Sequence, residues 1–140
     1  MHMIREDDNP VRVLLAGDPS ARLAGLERVL LQAGLEVAED NPLRPPTGRP
    51  PVLALITATD EVYGGPVLTR LVDRLPDGIP VMMLLGQGNG MTVTRLLDAG
   101  AAEVMLPPMD GGQVVARVRA RVRTGRQIAS AIQLSQQASR

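Results

Sequence analysis

Apolar residues along the chain gather into short blocks separated by amphipathic or proline-rich stretches. The first block, VRVLLAG (Val11–Gly17), is short, apolar and closed by glycine, which predicts a buried strand. In DPSARLAGLERVLLQAG, residues Leu23, Leu26, Val29, Leu30 and Ala33 share one side at helical spacing. Asp18 can cap this helix, Pro19 suits its first turn and Gly34 stops it. LEVAE (Leu35–Glu39) predicts a second strand, and the loop Asp40–Pro51 carries five prolines in twelve residues, leaving no room for a regular helix. VLALIT (Val52–Thr57) and IPVMMLL (Ile79–Leu85) predict buried strands flanking a helix, GPVLTRLVDRL, that carries Leu68, Leu71, Val72 and Leu75. The loop GQGNG, the helix MTVTRLLDAG and the strand AEVML (Ala102–Leu106) follow, and a long helical segment runs on from about Asp110.

Strands that alternate with helices and are apolar on both faces predict a parallel sheet covered on both sides. The expected architecture is α/β, a doubly wound five-stranded parallel sheet of order 2-1-3-4-5, with any ligand beyond the C-terminal ends of strands 1, 3, 4 and 5.

Composition then narrows the chemistry. A length of 140 residues suits one domain with a single good core. All 15 basic residues are arginine, cysteine is absent, His2 is the only histidine and Tyr63 the only aromatic residue. These absences remove a P-loop lysine, Schiff-base and thiol chemistry and nearly all histidine chemistry, together with base-stacking platforms for single-stranded nucleic acid. No apolar run reaches membrane-spanning length, and the acidic, polar start MHMIREDDNP does not read as a secretory signal, so a cytoplasmic setting is expected. Residues 1–10 are expected to form a mobile N-terminus.

From Val11 to about Arg123 the chain resembles the receiver domain of two-component response regulators, with the flavodoxin-like fold. RVLLAGDPSARLAGLERVLLQAGLEV resembles its first strand, helix and second strand, and PVLALIT the strand leading to its phosphoacceptor. IPVMMLLGQGNGMTVTRLLDAGAAEVMLPPMDGGQVVARVRARVR resembles its last third without a gap, and DAGAAEVMLPPMD is the most specific piece. The resemblance implies five chemical positions. The acidic pair that holds magnesium falls on Gly17 and Asp18, and the phosphoacceptor aspartate on Thr57, with Ile56 the alternative. The phosphate-binding hydroxyl falls on Leu85, the lysine on Pro107 before Pro108, and the aromatic switch residue on Val104. Only Asp18 keeps the required chemistry. One carboxylate is a poor magnesium site, and a threonine hydroxyl without a base is a weak nucleophile. No metal, catalytic residue or cofactor is therefore expected. Asp18 is read first as a helix cap, and Thr57 as a strand-end hydroxyl bonded to backbone.

Three segments depart from that pattern. The Gly86–Gly90 loop has neither the spacing nor the position of a dinucleotide fingerprint, and no lysine for a Walker loop, so it is read as a flexible turn. Asp40–Pro51 replaces the family's second helix, either exposing a sheet edge to a partner or forming a rigid lid. In residues 124–140, Ile128, Ile132 and Leu134 have nothing of their own to bury them. A weak heptad (Val115, Val122, Ala129 and Val118, Gly125, Ile132) suggests a linker or a dimerisation helix rather than a frayed tail. The expectation is a non-catalytic, phosphorylation-independent signalling module. It would bind a protein partner or a second copy through the family's helix 4–strand 5–helix 5 face, with neither membrane nor nucleic acid as a partner. The alternative is a small-ligand sensor whose contacts are the Gly86–Gly90 loop and Asp18; an enzyme of flavodoxin-like fold ranks last.

Overall fold

A computed structural model describes residues 11–44 and 48–138, with the side chains of 126–133 and 135–138 outside the described set; the expectation for residues 1–10 also lies outside it. Five strands, β1 (Val11–Gly17), β2 (Leu35–Glu39), β3 (Leu53–Ala58), β4 (Val81–Leu85) and β5 (Glu103–Met105), form one parallel sheet of order β2-β1-β3-β4-β5. The helices are α1 (Leu26–Gln32), α2 (Glu61–Arg74), α3 (Gly90–Asp98) and α4 (Gly111–Ala138).

Period-two alternation divides the apolar residues between the two faces. Val13, Leu15, Leu53, Leu55, Met82 and Leu84 face α1 and α4, where Leu26, Leu30, Val114 and Val118 meet them. Leu14, Ile56, Val81, Met83 and Leu85 face α2 and α3, where Leu68, Leu71 and Leu96 meet them. Each fully buried Leu or Met contributes about 1.5–3 kcal/mol of transfer free energy, so the three inner strands hold the domain together.

Three elements differ from expectation. The first helix does not begin at Asp18: a single 3₁₀ turn (Pro19–Ala21) comes first, and α1 starts only after Gly25, whose φ of 73° ends any continuous helix. α2 starts at Glu61, ahead of the Gly-Gly-Pro that reads as a breaker. Asp60 caps it by accepting from the Tyr63 N–H, and a Cβ on Gly64 would lie 3.0 Å from Met83 Cε, so the glycine lets α2 sit close on β4.

The third difference is that β2 is not apolar on both faces. Leu35 and Val37 join the α1 side, while the other side carries Glu36 and Ala38. There Glu36 pairs with Arg12 (3.5 Å) and Arg49 (3.1 Å), and Arg12 Nη1 donates to the Arg49 carbonyl (2.6 Å). This polar lattice lies where a second helix would otherwise cover the sheet. Asp40–Pro51 has no helix among its described residues. Arg70 of α2 holds Asp40 at 2.6 Å, Arg74 donates to the Pro42 carbonyl, and Val52 N–H donates to Arg12 O. The described part of the loop is thus fastened to α2 and β1 as a lid.

Candidate functional site

The crevice beyond the C-terminal ends of β1, β3 and β4 is built around a tight junction of the first two. Gly17 pairs with Thr57 in the β1–β3 register and has φ 93°. A Cβ on Gly17 would lie 2.2 Å from the Thr57 carbonyl oxygen, closer than any side chain can approach. The next residue uses that carbonyl, Asp18 N–H donating to it at 2.9 Å. Thr57, 1% exposed, returns the contact: its single Oγ1 proton is directed to the Asp18 carbonyl (3.1 Å), with the Ala16 carbonyl farther off at 3.5 Å. The Thr57 hydroxyl is therefore spent inside the β1–β3 seam, as the reading of a backbone-bonded strand-end threonine expects.

Asp18 is a cap, although of the 3₁₀ turn rather than of a helix. Its Oδ1 accepts from Ser20 N–H (2.9 Å) and Ser20 Oγ (2.8 Å). The Ser20 hydroxyl, and then the Ser20 amide, hold its carboxyl below the ordinary carboxylate range. Magnesium would need a second protein oxygen beside it. The adjoining position is Gly17, where backbone conformation and the Thr57 carbonyl both exclude an acidic side chain. Gly17 thus brings no second carboxylate to the side of Asp18. Among the described residues no group of three or more His, Cys, Asp or Glu comes together that could hold a metal.

Leu85 is fully buried in the α2 side of the core, Val104 is half-buried against that same core, and Pro107 is exposed, joined to Pro108 by a cis peptide bond. The Gly86–Gly90 loop is closely tied. Gly86 N–H donates to Ala58 O (3.0 Å), and Asn89 and Thr92 form a reciprocal capping box at the start of α3. None of its glycines has a positive φ; Gly86 and Gly88 instead allow close approach to Thr59 and to Leu106 and Thr92. The expected flexible turn is a packed helix entry, and N-x-x-T was the overlooked signal.

Ion pairs that the sequence pattern does not show tie neighbouring elements together. Arg22, ahead of α1, makes a two-pronged ion pair with Glu39 at the end of β2, and the Glu39 hydrogen bond raises the Arg22 pKa further. Glu61 and Arg95 join α2 to α3 through two contacts of 2.7 Å. That hydrogen-bonded pair lowers the Glu61 pKa and raises that of Arg95. Arg117 and Arg121 of α4 both reach Glu103 on β5, and Arg121 also donates to Ala102 O (2.8 Å). Two arginines of α4 thus clasp the sheet edge.

The crevice holds separate concavities. One of about 360 Å³ is lined by Gly17, Asp18, Asp40, Tyr63 and Arg70. Another, about 400 Å³, lies between the Ala21–Ala24 segment, the end of β4 and Pro107–Met109.

No family model matches the chain. It is 30% identical over 116 residues to the transcriptional regulatory protein PrrA of Mycobacterium tuberculosis, a match covering 80% of this chain and 50% of PrrA. The chain therefore spans about half the length of the curated relatives it matches. Among solved structures it resembles NtrX from Brucella abortus in complex with ADP (18% identity, TM-score 0.75, 94% of this chain and 30% of that one). It also resembles a CheY-like response regulator receiver domain from Methanospirillum hungatei (18%, TM-score 0.67, 85% of this chain and 98% of that one). At such identity the structural likeness establishes the fold, which is that of receiver domains. The PrrA match, over half of that protein, agrees with this fold.

Proposed function

We propose that this chain is a degenerate receiver domain that acts in response-regulator signalling without aspartyl phosphorylation and without catalysis of its own. The observation that carries the reading is the β1–β3 junction. Thr57 stands where the acceptor would be, is buried, and directs its hydroxyl to the Asp18 carbonyl. An acyl phosphate requires a carboxylate there, and among the described residues no histidine or carboxylate is hydrogen-bonded to the Thr57 oxygen to activate it. Pro107 supplies no cation, and the lysine-free chain cannot replace it.

The output surface in this reading is α3, β5 and α4, the counterpart of the family's helix 4–strand 5–helix 5 face, which engages a protein partner or a second copy. Its support is the position of β5 at the edge of the sheet, unpaired on its outer side among the described residues, together with exposed Met91 and Leu97 on α3. The domain is taken as residues 11–123, and α4 beyond it as a linker or dimerisation segment. Val118 is the last fully buried side chain of α4 among the described residues, and Leu134 is exposed. A cytoplasmic location goes with this role; no helix among the described residues is long and apolar enough to cross a membrane.

The test is incubation with acetyl phosphate, and separately with beryllofluoride, each with magnesium. Unchanged intact mass and unshifted amide resonances at Gly17, Asp18 and Thr57 are expected. A stoichiometric adduct or a saturable shift at those residues would overturn the reading.

A further inference from the structure

Three glycines follow β4, and packing accounts for two of them. A Cβ on Gly86 would meet Thr59 O at 3.1 Å, and one on Gly88 would meet Leu106 and Thr92 at 3.1 Å. Gly90 has no such reason: its φ is not positive, and nothing lies within 4 Å of an added Cβ. As the first residue of α3 it weakens a helix that almost any other residue would strengthen. What Gly90 does change is the reactivity of the residue before it. A backbone nitrogen can attack the side-chain amide carbon of a preceding asparagine, and a Cβ on the attacking residue obstructs that approach. Of the three asparagines in the chain, Asn9 and Asn41 are each followed by proline, which has no N–H to give up. Only Asn89 precedes an unshielded N–H, and at the first position of a helix that N–H has no carbonyl of the helix to bond.

The reaction needs nothing but water. Gly90 N bonds to Asn89 Cγ, its proton and Nδ2 leave together as ammonia, and a five-membered imide closes. Water opening the imide at Cγ leaves an aspartate; opening it at the backbone carbonyl leaves an isoaspartate, with the chain rerouted through the side-chain carbon. Asn89 is exposed to that water, and its capping bonds set the pace. Its Oδ1 accepts from Thr92 N–H (3.1 Å) and Thr92 Oγ1 (3.3 Å), and its own N–H donates to Thr92 Oγ1 (3.2 Å). The Asn89 backbone is extended, with ψ −174°. Closing the ring turns that ψ and swings Cγ towards Gly90 N, so the capping box has to open first. Either product alters the entry to α3: aspartate still caps but adds a charge, and isoaspartate lengthens the backbone at the cap.

We propose that Asn89–Gly90 is a site of spontaneous conversion to aspartate and isoaspartate, restrained by Thr92 and released when the first turn of α3 opens. The chemistry does not depend on the receiver reading. The experiment incubates the full chain in mildly alkaline buffer at physiological temperature and follows the tryptic peptide 75–95 by mass spectrometry, with isoaspartyl methyltransferase labelling to separate the two products. Expected is gradual conversion at Asn89 in the folded protein, with Asn9 and Asn41 staying amides in the same digest. Gly90→Ala, whose methyl enters open space, should convert at least about tenfold more slowly. Thr92→Val, which loses the hydroxyl of the capping box, should convert several-fold faster while circular dichroism shows it folded. A folded wild type that stays intact while a urea-unfolded sample converts would overturn the site. So would equal rates in Gly90→Ala, and a folded Thr92→Val no faster than wild type would overturn the restraint.

Discussion

Gly17→Ala is the sharpest perturbation the structure offers. Gly17 has φ 93°, and its added methyl would sit 2.2 Å from Thr57 O and 3.1 Å from Thr57 C and N. Those atoms are backbone, so no side chain can swing aside to make room. Holding an L-residue in left-handed backbone costs about 1–2 kcal/mol. Moving the Thr57 carbonyl away also breaks the Asp18 N–H bond to it, worth about 0.5–1.5 kcal/mol net, and disturbs the bond from Thr57 Oγ1. The expected loss is about 2–4 kcal/mol, a large share of the roughly 5–15 kcal/mol that holds a domain, and a melting point about 10 °C lower. Gly34→Ala is the matched control: φ is 83°, yet nothing lies within 4 Å of the added methyl, so it carries the backbone cost alone. Urea unfolding followed by far-ultraviolet circular dichroism measures both. If Gly17→Ala falls within about 0.5 kcal/mol of Gly34→Ala, the closeness of the β1–β3 junction is not what fixes glycine there. By the same reasoning Gly17→Asp, which would restore an acidic pair in sequence, should destabilise the fold and gain no magnesium affinity by calorimetry.

Arg70→Ala leaves the nearly buried Asp40 carboxylate without its guanidinium and should cost about 2 kcal/mol, most of it recovered in Asp40→Leu/Arg70→Leu; equal losses in single and double variants by urea unfolding would contradict this. Asn89→Ala removes half of the capping box on α3 and should cost about 1 kcal/mol, read as a lowered midpoint with unchanged urea dependence. Asp18 and Glu61 titrate below their ordinary values when folded, so their contribution is complete above the unfolded carboxylate pKa and is lost as pH falls through the folded pKa. Melting temperature should therefore drop on acidification below about pH 4, less steeply in Ser20→Ala and Arg95→Leu; parallel acid limbs in all three proteins would count against it.

Much of the fold was legible because strand and helix periods are local properties. The runs around Val13, Ile56 and Met83 are too short and too apolar to be anything but inner strands. The absence of a helix among the described residues between β2 and β3 follows from the prolines alone. The break between Ala21 and Leu26 was hidden because Leu23, Leu26 and Leu30 keep helical spacing straight through it, and only the φ of Gly25 reveals the interruption. α2 was placed four residues late because Gly64 and Gly65 suggest a stop; Gly64 is there for the approach to Met83, a contact nineteen residues away. LEVAE departs from the expectation of strands apolar on both faces, because Glu36 needs the guanidinium groups of Arg12 and Arg49, which only the fold brings to it.

What the sequence determined by itself is a set of chemical absences together with the order of elements. A chain without lysine or cysteine and with a single histidine lacks the chemistry of those groups whatever its shape, because no folding creates a functional group. Only the tertiary structure decided where the remaining groups point: Thr57 into the seam, Asp18 onto Ser20, Arg22 onto Glu39, and an apolar hollow between a broken helix and two prolines. Those outcomes depend on distances between residues far apart in the chain, and distance through space is what a one-dimensional pattern does not carry.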